Sequence, residues 1–78
     1  MRKYLVIERY RKGRWNDVYS RFHKRGRMLP VGLHYLNSWT NREQEICYQL
    51  METASPELFQ DWFVYWSDLI DFELVPLD

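Results

Sequence analysis

The sequence has little of what marks a secreted, metal-bound or membrane-spanning chain. It holds one cysteine, Cys47, so an internal disulfide is excluded and the chain reads as one that folds in a reducing compartment. Its two histidines and that cysteine, His23, His34 and Cys47, stand 11 and 13 positions apart. No tight pair of ligands nucleates a site, and no metal is expected. The apolar run nearest the start, Tyr4 to Ile7, is four residues long, where a signal peptide needs about 7–15 and a spanning helix about 20. The chain is therefore expected to be soluble and cytoplasmic, with no membrane partner. There is no Gly-rich phosphate loop and no Ser-His-Asp pattern, so no cofactor is expected.

What is present is a short chain rich in rings. Its 78 residues make one domain, 1–78. A chain of this size buries only about 60% of its unfolded surface, and small domains commonly lean on a disulfide, a metal or a second subunit. Aromatic residues make up 18%, with four Trp and six Tyr, enough for a real core with ring surface left for an interface or pocket. The net charge is zero but unevenly laid out. Ten of the eleven Lys and Arg fall in residues 1–27, and nine of the eleven acids in residues 43–78. A nucleic-acid surface is one reading. A basic first helix lying beside an acidic second one is the better reading, because zero net charge exerts little long-range pull on a polyanion. No nucleic-acid partner is expected.

The periodicity predicts six elements. Residues 3–10 (KYLVIERY) are β-branched and aromatic, a strand that Gly13 follows. Trp15, Val18, Tyr19 and Phe22 recur at helical spacing over 15–25, with Gly26 placed as the stop and basic residues in the last turn. In the stretch HKRGRMLPVGLHYLNSW (23–39), Leu29-Pro30-Val31-Gly32 has Pro second and Gly fourth, a type I turn pattern leading into a second strand, LHYLNSW. TNRE predicts a hairpin loop and EICYQLMET a third strand. Ser55-Pro56-Glu57 predicts an N-cap and helix start, with Leu58, Phe59, Trp62, Phe63, Trp66, Leu69 and Ile70 along the apolar stripe. DFELVPL is a fourth strand, and Pro76 suggests an edge. The order β-α-β-β-α-β predicts a ferredoxin-like α+β sandwich, a four-stranded antiparallel sheet with both helices on one face.

Both parities of these strands are apolar: Leu5 and Ile7 against Tyr4 and Val6, Cys47 and Met51 against Ile46, Tyr48 and Leu50, Phe72 and Leu74 against Val75 and Leu77. A sheet with one wet face alternates apolar with polar, and two short helices cover only one face. The other is expected to bury itself against a second copy, giving a homodimer through the sheet face, a dimeric α+β barrel.

The phrases VIERY, RGRMLPVGL, YLNSW, CYQLMET and WFVYWSDLIDFELVP together resemble a family of small bacterial proteins known as domain of unknown function 3303. The resemblance runs from Tyr4 to Pro76 and implies the dimeric α+β barrel group, with no established activity. Wider relatives of that fold include cofactor-free monooxygenases, lactone isomerases and haem-handling enzymes, though one fold hosts many chemistries.

Several residues are candidates for chemistry. Glu8, Glu52 and Glu73 lie within strands, where a carboxylate needs a partner or an opening to water. One could serve as a general base; ion pairing with Arg9, Arg27 or another basic residue is the plainer role. Arg27 could hold a carboxylate or phenolate, or pair with one of those glutamates. Asn37, Ser38, Trp39 and Gln49 could orient a small aromatic or polyketide-like ligand, and Trp62 and Trp66 could roof its pocket, or pack as plain core with their indoles hydrogen-bonded. His23 and His34 are expected at the solvent edge and Cys47 in the core. The candidate ligand site is thus Arg27, Ser38, Trp39, Gln49, Glu52, Trp62 and Trp66. The expected function is binding of a small organic ligand between sheet and helices. Cofactor-independent monooxygenase- or isomerase-like catalysis is the alternative, ahead of RNA binding or a pure protein-interaction role.

Overall fold

The structure, a computed structural model, describes residues 1–77, so Asp78 at the end of the expected domain lies outside the described residues. The elements are β1 (Arg2–Tyr10), α1 (Trp15–Arg25), β2 (His34–Asn41), β3 (Ile46–Thr53), α2 (Leu58–Phe63) and β4 (Ile70–Pro76). The strands form one antiparallel sheet in the order β2-β3-β1-β4. This is the ferredoxin-like α+β fold, with β1 and β3 central and the Pro-bearing β4 on an edge.

The local chemistry explains most boundaries. Val18 of α1 is buried, with Trp15, Tyr19 and Phe22 half-buried beside it. The helix stops where Gly26 takes φ 66 and its N–H donates to the Phe22 carbonyl at 2.7 Å, the positive-φ stop that glycine makes cheaply. Two expectations shift. The reversal before β2 spans Pro30–Leu33, closed by the Leu33 N–H to the Pro30 carbonyl at 3.2 Å. Gly32 takes φ 99 at the third position, the place a type II turn reserves for glycine. The second helix is also shorter than its apolar stripe. After Phe63, bonds such as Tyr65 to Trp62 and Ile70 to Trp66 alternate between three- and four-residue spans, so the chain continues to β4 as successive turns. Glu57, not Ser55, occupies the cap, with no side-chain cap bond. Ser55 instead donates its N–H to Thr53 Oγ1 at 3.0 Å and accepts the Leu58 N–H at its carbonyl at 3.0 Å.

Alternation sorts the sheet into two faces. Tyr4, Val6 and Glu8 of β1 and Cys47, Gln49, Met51 and Thr53 of β3 are buried, and they meet Val18 from α1 and Phe59 and Trp62 from α2. The opposite parity, with Leu5, Ile7, Ile46, Tyr48, Leu50 and Val75, is only half-buried, and Trp39 on the same face is 52% exposed. The uneven charge is absorbed within the fold. Arg9–Glu73, Arg11–Asp71, Arg21–Asp68 and Lys3–Glu52 each join the basic early chain to the acidic later one. Arg21 grips both Asp68 oxygens at 2.8 Å and the Tyr65 carbonyl at 2.8 Å, tying α1 to the turns after α2.

Candidate functional site

Between the sheet and the helices lies a cavity of about 160 Å³. Glu8 and Tyr10 of β1, Cys47 and Gln49 of β3, and Ser38 and Thr40 of β2 form its floor, with Ile70 at the start of β4. The register explains the grouping. Glu8 is paired with Cys47, Cys47 with Thr40, and Gln49 with Ser38, and paired residues share a face. Val18, Tyr19 and Phe22 on α1 form one wall, while Trp62 of α2 and Trp66 just beyond it form another. Arg27, in the joint after α1, also lines the cavity, which is partly open to solvent.

A buried polar chain runs through this space. Gln49 Nε2 donates to Glu8 Oε2 at 2.7 Å, and Arg27 Nε donates to Gln49 Oε1 at 3.2 Å. Glu8 is 4% exposed, and its carboxyl is raised to about 7, chiefly by burial. The Gln49 bond and the Arg27 charge pull only partly the other way. Burial disfavours the ionised form because a carboxylate loses hydration it cannot regain from one amide. Burial likewise pushes the Tyr10 phenol and the Cys47 thiol up, so Cys47 stays a thiol at neutral pH and lacks the thiolate that makes cysteine a nucleophile.

Arg27 is held on several sides. Its guanidinium lies 3.6 Å from the Tyr35 ring centroid and 5.2 Å from that of Phe22, contacts that favour a cation over ring faces. Tyr35 in turn shares a 2.7 Å hydrogen bond with Ser38 Oγ. The Arg27 carbonyl accepts two indole N–H groups, from Trp62 at 2.8 Å and Trp66 at 3.1 Å. The next residue, Met28, takes φ 61, an uncommon backbone state for a residue with a Cβ. The joint is thus pinned from above by two tryptophans and held in an unfavourable conformation. Among the described residues, the Nη groups of Arg27 have no hydrogen-bond partner, its bond being made through Nε.

Of the residues expected to bind a ligand, the structure brings Arg27, Ser38, Gln49, Trp62 and Trp66 to the cavity. Trp39 and Glu52 lie elsewhere. Trp39 pairs with Tyr48 and Glu52 with Lys3 across the opposite parity of the sheet, and Glu52 Oε2 is 3.8 Å from Lys3 Nζ. A bulge between Tyr35 and Asn37 resets the alternation of β2, which puts Ser38 inward and Trp39 outward. Of the three strand glutamates, Glu8 is the buried one, while Glu73 pairs with Arg9 at 2.8 Å on the exposed face. His23 and His34 are exposed. Among the described residues no cluster of His, Cys, Asp and Glu is arranged to hold a metal ion, and no helix is long and apolar enough to cross a membrane. Sequence reasoning put Glu52 rather than Glu8 in the ligand site and missed Tyr10, Thr40 and Cys47 as cavity residues. Alternation from Val6 and Glu8 carries Tyr10 inward, a signal that becomes usable only once the covered parity is known.

The model of the family described as Domain of unknown function (DUF3303) matches residues 2–77. No curated protein and no solved structure matches the chain. With nearly its whole length covered, the chain belongs to that family.

Proposed function

Membership of a family whose description names no activity leaves the chemistry to the cavity, and we propose that the protein binds a small, single-ring organic molecule there, as a homodimer. The observation that carries this reading is the cavity of about 160 Å³ in which an ionisable Glu8 and an Arg27 fork sit among aromatic walls. An apolar cavity of about 150 Å³ holds a benzene molecule, so the space suits one ring. Concave, largely apolar sites with a few convergent polar groups are the usual form of small-molecule sites.

The homodimer part of the reading rests on the uncovered sheet face. Its centre is apolar, with Leu5, Ile7, Tyr48, Leu50 and Trp39, and its borders carry the Lys3–Glu52 and Arg9–Glu73 pairs. A greasy centre with a rim bearing both signs is the anatomy of a self-complementary interface. Burial of apolar area at about 25 cal/mol per Å² favours pairing.

The test is an NMR titration with phenol, following the indole N–H signals of Trp62 and Trp66. Saturable shifts in both are expected, and Val18→Phe, which fills the cavity from α1, is expected to abolish them. Absence of saturable shifts in the folded protein would refute the reading. A second reading, proton transfer without a cofactor, is favoured by the Glu8 carboxyl at about 7, a poise that suits a general base at neutral pH. Hydrogen–deuterium exchange into a bound ketone, lost in Glu8→Gln, would distinguish it from binding alone.

A further inference from the structure

The cavity holds one cation, Arg27, and one buried carboxyl, Glu8, joined through Gln49. The Arg27 plane rests on Tyr35, 3.6 Å from its centroid, and its Nη donors are left over once Nε is bound to Gln49. Such a fixed guanidinium edge matches the two oxygens of a carboxylate. A ligand carboxylate on that edge brings a second anion into the cavity that Glu8 lines, with a single cation for both. A second anion in the same cavity disfavours ionisation of the buried carboxyl, which is the one to take up a proton.

We propose that the cavity takes a small monocyclic carboxylic acid as its anion on the Arg27 fork, with uptake of one proton by Glu8. This deepens, and rests on, the cavity reading above. Above about pH 7, where Glu8 starts ionised, one anion and one proton enter together and the site's net charge is unchanged; below it Glu8 already carries the proton and the anion alone offsets the Arg27 charge. The groups facing Glu8 leave it as the residue that titrates. From β1 and β3 they are Tyr10 and Cys47, both pushed up by burial and neutral near pH 7. From α1 it is Tyr19, and from the joint Arg27. β2 contributes Ser38 and Thr40, the second helical segment Trp62 and Trp66, and β4 Ile70, none of which is ionisable at neutral pH.

The test is calorimetric titration of the full chain with benzoate and, separately, phenol, from pH 6 to 9, in buffers of different ionisation heat. Benzoate itself stays ionised over this range. Its Kd is expected to be flat below about pH 7 and to rise about tenfold per pH unit above it, the slope of one linked proton. Net uptake should approach one proton at pH 8.5. Glu8→Gln, which needs no proton, should bind benzoate independently of pH and more than tenfold tighter than the natural chain at pH 8.5. Arg27→Met should weaken benzoate about 10- to 100-fold, more than it weakens phenol. If that variant fails to fold, proton uptake and Glu8→Gln decide alone. Benzoate binding without proton uptake at pH 8.5, or with its pH slope retained in Glu8→Gln, overturns the inference. Binding of phenol but not benzoate also overturns it while leaving the cavity reading intact, and binding of neither removes both.

Discussion

Replacing Glu8 by Gln removes an ionisable group from the cavity floor while keeping its shape, and the amide oxygen of Gln can still accept from Gln49 Nε2. The consequence for stability follows from the carboxyl, which is raised from 4.5 to about 7 by burial. As pH climbs through 4.5 the unfolded chain gives up this proton while the folded chain keeps it until about 7. The native state then binds more protons, so stability falls with rising pH across that window. The sign is that of a group whose folded value is raised: its contribution is complete below the unfolded value and lost above the folded one. At about 1.4 kcal/mol per unit, the loss amounts to about 3 kcal/mol. Glu8→Gln has no such loss, so its stability relative to the natural chain should improve by about 3 kcal/mol between pH 4 and pH 8.5. Urea unfolding of both proteins at fixed concentration over this range measures it, and the other carboxyl groups, common to both, cancel in the difference. A difference that does not vary with pH, or that moves against Glu8→Gln as pH rises, would refute the reasoning.

Three further perturbations probe the supports of the site. Trp62→Phe and Trp66→Phe each leave the Arg27 carbonyl one indole donor, whereas the double variant orphans it. The double should cost about 1–3 kcal/mol more than the two singles together, and strict additivity in urea melts would deny the shared-acceptor account. Gly26→Ala meets no heavy atom within 4 Å, so its cost is that of φ 66 and ψ −160 alone. About 1–3 kcal/mol lost in thermal or urea unfolding is expected, and a neutral result would refute the backbone argument. Leu50→Lys places a charge at the centre of the uncovered sheet face. Sedimentation equilibrium at micromolar concentration should show the natural chain as a dimer and this variant as a folded monomer, while a monomeric natural chain would contradict the proposed pairing.

Much of the fold was legible because alternation and helical spacing are local signals. The α1 stripe of Trp15, Val18, Tyr19 and Phe22 and the glycine stop at Gly26 need no tertiary knowledge. The second helix misled because Trp66, Leu69 and Ile70 are buried by successive turns that keep helix-like spacing without a continuous helical ladder. The site was only partly legible for a related reason. Both parities of β1 and β3 are apolar enough to be inward, so the sequence did not say which of Glu8, Glu52 and Glu73 is buried, and Glu52 entered the candidate site in place of Glu8. The helices resolved them by covering the parity of Tyr4 and Val6. Ser38 and Trp39 were grouped together because the bulge between Tyr35 and Asn37, which sets their faces, has no strong local signature in HYLNSW. The Arg27 carbonyl as a shared acceptor is a product of chain reversal. No spacing rule connects residue 27 to residues 62 and 66.

The central claim is that a ring-sized ligand fits between sheet and helices beside Glu8, and a crystal structure of the phenol-soaked protein tests it most directly. The account predicts a ring lying between Val18, Phe22 and Trp62, with its hydroxyl within hydrogen-bond distance of the Glu8 carboxyl. A cavity closed over by its own side chains, or phenol found only outside it, would contradict the account.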